Sequence, residues 1–598
     1  MPEGTYSPVT LNDFSGGWVS KYDREPDSLR MNESPELENL DFDGQGSFRV
    51  RRGMKLFGNR VSTAGSIITC WTFQRPIRVD EIPMRQRGTL LEYYNSDSSQ
   101  WETVPVTQSL SASRKLGFAN YTATTDTEDF VYFCDGSMNM ERWTGGHTLL
   151  NGALAGGEGT ITVDSTDGFA SSGSIYIGST TVTYAAKTAT TFTTCVGTPA
   201  AADNAVVTQV PVVFSASAGT KPVGNIMTVF NNQLVVAVKN YIKASDVDDF
   251  RDWNPATSSL AFSKGFPGGT ITGLATKDKK LIVFTANSVQ GIEYSFTGDL
   301  TSFQLVVEDI EKSPNYGAKV FTGIAGADGE TYYVSNDNVI RRIIRSPVST
   351  LFDTGSISEN IRNQLAKYTM TNAAVTFFKN KLYFAVQSDE SSINDVVLVF
   401  DLKYSRSNPS GEAWSKYRMY VADWFVYGGN LYCGSSAQIN TFQMFTDNNG
   451  EPILDDDGAS IPWFYKTPLL DFGKSELQYR LNKVVSRGYI SQNSEVSYVA
   501  EYNYATEAEQ EQTLQGSNES FVFVPAANAL GEDVTGEEVT GSADDPFDGA
   551  YPFNYPFDFG TYDGYNLQII ISGNTKDEQY KQTRLVLYVE AQDDNMTN

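Results

Sequence analysis

Histidine is nearly absent from this chain of 598 residues, which contains only His147. A zinc site with a histidine pair is therefore excluded, and a Ser-His-Asp triad would have to use this one residue. His147 lies in a Gly-rich turn, WTGGHTLL, which favours a surface or linker position. The sequence singles out no catalytic, cofactor-binding or metal-binding residue, so we predict that the chain is not an enzyme and uses no cofactor.

Cysteine is also scarce, and long apolar runs are missing. The four cysteines lie far apart and form no CxxC pair, which favours buried or half-buried thiols over disulfides or a zinc site: Cys70, Cys134, Cys195 and Cys433. No apolar run approaches the ~18 residues that a membrane helix needs, and no signal peptide precedes Tyr6. We expect a soluble protein that is not exported by the usual route.

Positive charge is the third deficit. Lysine and arginine total 45 against 72 aspartates and glutamates, and the formal net charge is −27. This is the wrong sign for binding nucleic acid through its phosphates. The same charge suits a surface that nucleic acid must pass without sticking, although solubility alone is an alternative explanation.

Strand hairpins, in contrast, recur at nearly constant intervals. Five hairpins each consist of an apolar strand, a polar two-residue turn and a second strand that begins near an anchor residue. The anchors are 47, 51, 50 and 49 residues apart: Leu234, Leu281, Tyr332, Leu382 and Leu431. A strand repeat of about 40–50 residues is typical of a β-propeller, in which each repeat is one four-stranded blade. Residues 82–105 and 115–143 extend the repeat toward the N-terminus, so we predict six or seven blades.

One interval in this repeat is too long. Val131 and Leu234 are 103 residues apart, about twice the period, and the excess coincides with a Thr-, Ala- and Gly-rich segment at 149–210. Excising these 62 residues leaves a spacing close to one blade. We therefore predict a small β-domain inserted between two blades, because surface loops tolerate insertions at modest entropic cost.

The pattern changes again after about residue 465. Two pairs of long alternating strands flank a polar stretch that contains PFDGAYPFNYPFDFGTY at 546–562. Because proline lacks the N–H needed in a sheet, we predict that the YPF repeats form a long loop outside the central strands. The chain is thus predicted to be all-β: a six- or seven-bladed β-propeller with an inserted small β-domain and a C-terminal β-sandwich-like domain.

The predicted domain boundaries follow from these changes. An N-terminal segment at 1–60 serves for docking and begins the propeller, whose first blades occupy 61–148. The inserted β-domain at 149–210 precedes the remaining blades at 211–464. The C-terminal β-domain, with its long aromatic and proline-rich loop, covers 465–598.

Four residue groups have more than one reading. Asp455, Asp456 and Asp457 offer clustered oxygens for Ca²⁺, but their spacing does not match the twelve-residue calcium loop, and Asp-Gly is an ordinary turn pair. Five aromatic side chains suit either stacking on sugars or contact with a neighbouring subunit: Tyr551, Phe553, Tyr555, Phe557 and Phe559. Two basic groups could pair with acidic neighbours in a ring: Arg49, Arg51, Arg52 and Lys55, and Arg341, Arg342 and Arg345.

Several segments resemble a known family. Residues 12–59 contain Gly16-Gly17, then ESPELENL, then GSFRVRRG; SDVDDFRDWNP (245–255), NDVVLVFDLKY…EAWSKY (394–417) and DDDGASIPWFYKTPLLDFGK (455–474) follow. Their order and spacing resemble the tail nozzle, or tail tubular protein B-like propeller, of short-tailed phages. The 149–210 segment is also similar to small β-domains of phage structural proteins.

This resemblance implies a structural virion protein of the phage tail. Members of the family form a hexameric ring below the portal and adaptor, around the channel through which genomic DNA leaves. The implied partners are copies of the chain, the adaptor or another portal-proximal protein, and tail fibre or spike proteins. The DNA would pass through a negatively charged channel without specific binding.

Two alternatives come from other functional classes. One is a glycan-binding or glycan-degrading tail propeller, which predicts acids and aromatics gathered at one mouth of the propeller. The other is a receptor-binding adhesin that displays the inserted domain. No feature of the sequence localises either site.

Overall fold

The computed structural model describes residues 7–592, except for short segments and one long one. The residues outside the description are 21–28, 43–45, 61–64, 125, 257–259, 297–302, 312–315, 346–351, 408–410, 438, 473–477, 503–506, 517–520, 523–549 and 560–562. The fold is almost entirely β, with two short α-helices, Arg362–Leu365 and Leu402–Ser407, and a 3₁₀ turn at Phe321–Gly323. Among the described residues, no helix has the length and apolar character needed to cross a membrane.

Seven four-stranded antiparallel sheets form the blades of the propeller. Blade 1 contains Ile67–Arg75, Asp80–Arg87, Leu90–Asn95 and Gln100–Thr103, and blade 2 contains Gly117–Asn120, Val131–Cys134, Glu141–Trp143 and Val212–Val213. Blade 3 contains Ile226–Phe230, Gln233–Val238, Tyr241–Ala244 and Phe262–Gly265, and blade 4 contains Ile271–Lys277, Lys280–Thr285, Val289–Phe296 and Phe303–Glu311.

The remaining blades repeat this order. Blade 5 contains Ile324–Ala327, Glu330–Val334, Ile340–Arg345 and Phe352–Ser356, and blade 6 contains Tyr368–Phe378, Lys381–Ser388, Val396–Asp401 and Trp414–Arg418. Blade 7 contains Asp423–Tyr427, Asn430–Gly434 and Thr441–Met444, and its outer strand is Met54–Phe57 from the N-terminal segment. The repeat predicted from the sequence is therefore confirmed, with seven blades.

Contacts between first strands close the blades into a ring. Each blade's first strand contacts the first strand of the next blade, and that of blade 7 contacts that of blade 1. At this last joint the Asp423 carboxylate accepts hydrogen bonds from the Thr69 hydroxyl at 2.7 Å and the Cys70 N–H at 2.9 Å. All four cysteines are buried, as predicted.

Five tight turns explain why the repeat is visible in the sequence. Each connects the first and second strands of a blade with two residues that both have positive φ: Asn231-Asn232, Asp278-Lys279, Asp328-Gly329, Lys379-Asn380 and Gly428-Gly429. This is the geometry of a type I′ turn, which matches the twist of the flanking strands and favours Asn, Asp and Gly.

The inserted domain has its own small sheets and core. Its largest sheet contains His147–Leu149, Val206–Gln209, Gly173–Ile177 and Thr180–Tyr184; the smaller ones contain Leu154–Ala155 with Ala200–Ala201, and Thr160–Thr162 with Thr191–Thr193 and Ala186–Lys187. It departs from blade 2 after the third strand and returns before the fourth. The prediction of an insertion between two blades is therefore corrected, since the outer strand of blade 2, Val212–Val213, is too short to show a pattern.

A two-sheet sandwich contains both ends of the described chain. The first sheet orders Phe521–Val522, Ala550–Asp558, Gln478–Ser491, Tyr580–Gln592, Phe48–Val50 and Leu40–Phe42, with Ser7–Leu11 and Asp563–Gly564 added. The second orders Leu37–Glu38, Trp463–Lys466, Leu567–Gly573, Glu495–Tyr502 and Glu507–Gln515. A short parallel pair, Gly17–Trp18 and Glu33–Ser34, lies beside it. N-terminal strands thus complete the C-terminal domain.

The YPF repeats lie in this sandwich and not in a loop. Ala550–Asp558 is a strand that pairs along its length with Gln478–Ser491, with Pro552 opposite Tyr489 and Pro556 opposite Val485. On its other side, within the described residues, it pairs with the two-residue strand Phe521–Val522 alone. The prediction of a loop at 546–562 is corrected for this strand, because proline is tolerated close to a sheet edge.

Glu578 is buried beside this sandwich and provides a test by pH. It is 4% exposed, and one of its carboxylate oxygens accepts a hydrogen bond from the Thr575 N–H at 3.1 Å. Burial raises the pKa of Glu578 from 4.5 to about 7. The folded state therefore binds the Glu578 proton more tightly than the unfolded state. Proton binding stabilises the fold fully below pH 4.5, and this contribution is lost as the pH rises to about 7.

We expect Glu578→Gln to raise the free energy of unfolding at pH 8 by about 2–3 kcal/mol and to change it little at pH 4.5. Denaturant unfolding at the two pH values measures the difference. Glu495→Gln, which neutralises an exposed acid in the same sandwich, is the matched control and should have no effect at either pH. An equal effect of Glu578→Gln at both pH values would contradict the prediction.

Candidate functional site at the propeller–sandwich junction

Three of the four sequence segments singled out above, 12–59, 394–417 and 455–474, meet where the propeller joins the sandwich. The Asn39 N–H donates to the Lys416 carbonyl at 2.7 Å, which connects residues 12–59 to residues 394–417. The Gly53 N–H donates to the Ile453 carbonyl at 2.8 Å, and Leu37 pairs with Tyr465, in the 455–474 segment. Residues 245–255 lie elsewhere, next to blade 3. We call this meeting point the junction.

Arg51 is the central cation of the junction. Its side chain is fully buried, and its guanidinium donates to both carboxylate oxygens of Asp456, at 3.0 and 2.5 Å. Its Nε also donates to the side-chain oxygen of Asn39 at 2.8 Å. Burial works to lower the pKa of Arg51, but the Asp456 carboxylate outweighs it and raises the pKa. This bidentate pair joins two segments that are 405 residues apart.

Asp41 forms a second buried ion pair nearby. Its carboxylate accepts from the Lys381 ammonium at 2.6 Å and from the Tyr417 hydroxyl. Burial works to raise the pKa of Asp41, but Lys381 and Arg49 together lower it below its usual value. Breaking either buried pair would leave an uncompensated charge, so these contacts fix how the N-terminal strands sit on blade 6 and on the 455–474 segment.

An acidic hollow of about 440 Å³ lies on the surface of the junction. We define it by its four carboxylates: Asp447, Asp455, Asp457 and Asp577. Pro452, Ile453 and Leu454 provide an apolar wall, and Lys55 is the one cation of the lining. Arg60 is 2.5 Å from Asp457, and Lys576 is 3.7 Å from Asp455. This concentration of acids beside apolar groups suits the docking of basic side chains from a neighbouring protein.

The possible calcium site falls in this hollow, where its acids have other roles. Asp456 is paired with Arg51, and Asp457 has a positive φ in a turn that ends at Gly458. Asn449-Gly450 also forms a turn, in which the Gly450 N–H donates to the Asp447 carbonyl. Over the described residues, no three acidic, histidine or cysteine side chains are arranged to hold a metal ion.

The other candidate residues are dispersed. Phe553, Phe557 and Phe559 are buried in the sandwich, whereas Tyr555 is exposed. Of the basic groups, Arg51, Arg341 and Arg342 pair within the chain, with Asp456, Asp337 and Glu330 respectively. His147 lines a separate cleft beside the inserted domain. Sequence reasoning missed Asn39 and Asp41, because their partners are distant in the chain and no local pattern marks them.

Comparison with known proteins identifies no family. No protein-family model matches the chain, and neither does any curated protein. Solved structures that match include an exo-β-1,3-galactanase from Phanerochaete chrysosporium, at 8% identity over 90% of this chain and 100% of that one, with a TM-score of 0.23. The PQQ-bound aldose sugar dehydrogenase of Streptomyces coelicolor matches at 11% identity over 66% and 98% of the two chains, with a TM-score of 0.23. The extracellular domain of a putative hybrid two-component system from B. thetaiotaomicron matches at 10% identity over 80% and 75%, with a TM-score of 0.24.

These matches correct one prediction. The sequence led us to predict that the chain is not an enzyme, but the matching structures include a galactanase and a sugar dehydrogenase. At TM-scores below 0.5 they provide no active-site residue and no substrate for this chain.

Proposed function

We propose that the chain is a structural subunit of the tail of a short-tailed phage, where copies assemble into a nozzle or hub ring around the channel for the genome. The observation that carries the proposal is the junction. Segments that resemble the nozzle family separately, at 12–59, 394–417 and 455–474, are in contact there through Asn39, Met54 and the Arg51–Asp456 pair. A shared structural unit explains why these segments occur together in one chain.

The charge distribution supports a conduit for DNA. The chain has 27 more acidic than basic residues, and arginines of both basic groups are paired with carboxylates of the same chain. The net negative charge of such a chain repels phosphates. DNA would pass such a ring without specific binding.

The pairing of the N-terminal segment with both domains suits a subunit under mechanical load. The N-terminal segment supplies the outer strand of blade 7 as well as strands in both sheets of the sandwich. Pulling on either domain therefore loads strands that are paired in sheets. This arrangement suits a subunit that holds the genome before ejection.

The acidic hollow is the proposed contact with a neighbouring copy or with the adaptor. We expect Asp577→Lys, which reverses an exposed charge of the hollow, to weaken ring formation by at least tenfold in concentration, since like charges across an interface are disfavoured. Asp164→Lys makes the same change in an exposed acid of the inserted domain and serves as the control. Mass photometry of the purified full-length chain over a range of concentrations measures both.

A discrete ring of the wild-type chain that Asp577→Lys dissociates would support the proposal. A chain that stays monomeric at every concentration and binds no tail component would contradict it. A ring that both variants form equally well would retain the structural role but place the contact outside the acidic hollow.

Glycan binding or processing by the propeller is the second candidate function. One observation favours it: a cleft beside the inserted domain contains two arginines, two carboxylates and the single histidine. A variant in which a short Gly-Ser linker replaces residues 147–209 tests this function separately from assembly. The second candidate predicts that the variant assembles but no longer adsorbs to its host, as an adhesin that displays the inserted domain also would.

A further inference from the structure

A cleft of about 420 Å³ separates the first hairpin of blade 1 from the inserted domain. This volume is within the range of small-molecule sites. Its polar lining comes from both sides, with Arg75, Arg78 and Asp80 on blade 1 and His147, Ser165 and Asp167 on the inserted domain. The proposed assembly does not use this cleft, which lies apart from the junction.

Ion pairs hold the two walls of the cleft in place. Arg78 donates through two nitrogens to Glu128, at 3.1 and 2.8 Å, and the same carboxylate is 3.5 Å from the Lys187 ammonium of the inserted domain. Arg75 pairs with Asp80 across the hairpin. Because the walls are already fixed, a ligand would pay little conformational entropy on binding.

His147 lines the cleft, and its ring can accept a hydrogen bond. Its Nδ1 is 2.9 Å from the Gly145 carbonyl oxygen, which can only accept, so the proton is on Nδ1. Burial lowers the pKa of His147 and favours the neutral ring, whose Nε2 is then an acceptor. The ring also packs against Tyr93, with centroids 4.9 Å apart.

The tip of the hairpin, Pro76 to Val79, is strained and exposed. Val79 has a φ of 57°, which is rare for a β-branched residue, and is 90% exposed. The carboxylate of buried Asp129 holds this conformation by accepting from the N–H groups of Ile77 and Arg78, at 3.1 and 3.3 Å. Strain that neighbouring groups maintain in this way is concentrated at binding sites.

The charges of the cleft select the ligand class. Arg75 and Arg78 face Asp80, Glu128 and Asp167, so neither a cation nor an anion would find a strong uncompensated partner. Guanidinium donors, carboxylate acceptors and the His147 ring line the same cavity, while the half-exposed Ile77 offers an apolar contact. Hydroxyl groups that both donate and accept match this lining.

We propose that this cleft binds a neutral sugar unit of a glycan. The inference rests on the second candidate function and is independent of ring assembly. Asp167 and His147 would accept from sugar hydroxyls, Arg78 would donate to them, and Ile77 would pack against an apolar face of the ring.

The single histidine provides a direct test. In the NMR spectrum, the full-length chain labelled with [¹³C]histidine has one histidine signal, which comes from His147. The labelled chain is titrated with lactose, maltose, cellobiose and chitobiose in turn, and the position of this signal is recorded. We expect a saturable shift with at least one of these neutral disaccharides. Asp167→Asn should weaken sugar binding about tenfold, which corresponds to the loss of roughly one hydrogen bond. Because the Asp167 side chain is 81% exposed, the variant should fold.

Asp164→Asn is the matched control, since it makes the same change in an exposed acid outside the cleft and should leave the affinity unchanged. A silent His147 signal with all four sugars would overturn the inference, as would equal binding by Asp167→Asn. If a glycan array detects binding while His147 remains silent, the second candidate function stands but its site is elsewhere. Ring formation is measured separately and is unaffected by any of these results.

Discussion

Replacing Arg51 with methionine is expected to lower the free energy of unfolding by about 3–5 kcal/mol, the largest single effect in the junction. The substitution leaves the Asp456 carboxylate without its bidentate partner and the Asn39 side-chain oxygen without the Arg51 Nε donor. Calorimetric or denaturant unfolding of the full-length chain measures the loss. We also expect faster proteolysis of the N-terminal segment, because Arg51 connects it to the 455–474 segment.

Two further variants separate the ion pair from general damage. Arg60→Met removes the partner of Asp457, but Arg60 is 57% exposed, so the expected loss is below about 1 kcal/mol. The double variant Arg51→Met with Asp456→Leu removes both charges and should recover much of the stability lost in the single variant. Equal losses for Arg51→Met and Arg60→Met would contradict the central role of Arg51.

Phe57→Ala is expected to lower the free energy of unfolding by about 3–5 kcal/mol, because it weakens the contact that closes the ring of blades. Phe57 ends the outer strand of blade 7, and its ring lies 4.2 Å from that of Tyr94 in blade 1 and 4.5 Å from that of Tyr432 in blade 7, measured between centroids. The truncation would leave a cavity in the aromatic cluster that joins the first and last blades. Thermal unfolding of the full-length chain measures the loss.

Lys55→Ala is the matched control for this prediction. Lys55 lies in the same strand but is exposed, so its truncation should change stability by less than about 0.5 kcal/mol. If Phe57→Ala were as mild as Lys55→Ala, the N-terminal strand would not hold blades 1 and 7 together.

The sequence was most informative where structure is local. Type I′ turns need positive φ at two adjacent residues, and Asn231-Asn232 and Gly428-Gly429 satisfy this requirement by composition alone. Apolar strands around such turns make each hairpin recognisable. The hairpin repeat therefore predicted both the propeller and the approximate position of its blades.

Pairing between strands that are far apart in the chain could not be predicted from the sequence. Met54–Phe57 completes blade 7 by pairing with Thr441–Met444, a partner that no local pattern indicates. The sequence left the blade count open at six or seven. The two-residue strand Val212–Val213 likewise hid the fact that the inserted domain interrupts blade 2.

The candidate site was only partly predictable. Asp455, Asp456 and Asp457 stood out as an acidic cluster, but their pairing with Arg51, Arg60 and Lys576 depends on chain segments more than a hundred residues away. Those pairs change the interpretation from a calcium site to a junction with an acidic hollow. Pairing of this kind becomes visible only once the tertiary structure is known.

Electron microscopy of the native assembly that contains this chain tests the central claim most directly. The proposal predicts class averages with a closed ring of copies, a hexamer by family resemblance, around an axial channel at a virion vertex, with the acidic hollow at a contact between subunits. Monomers, or peripheral copies away from the axis, would contradict the proposal and leave glycan binding as the function to pursue.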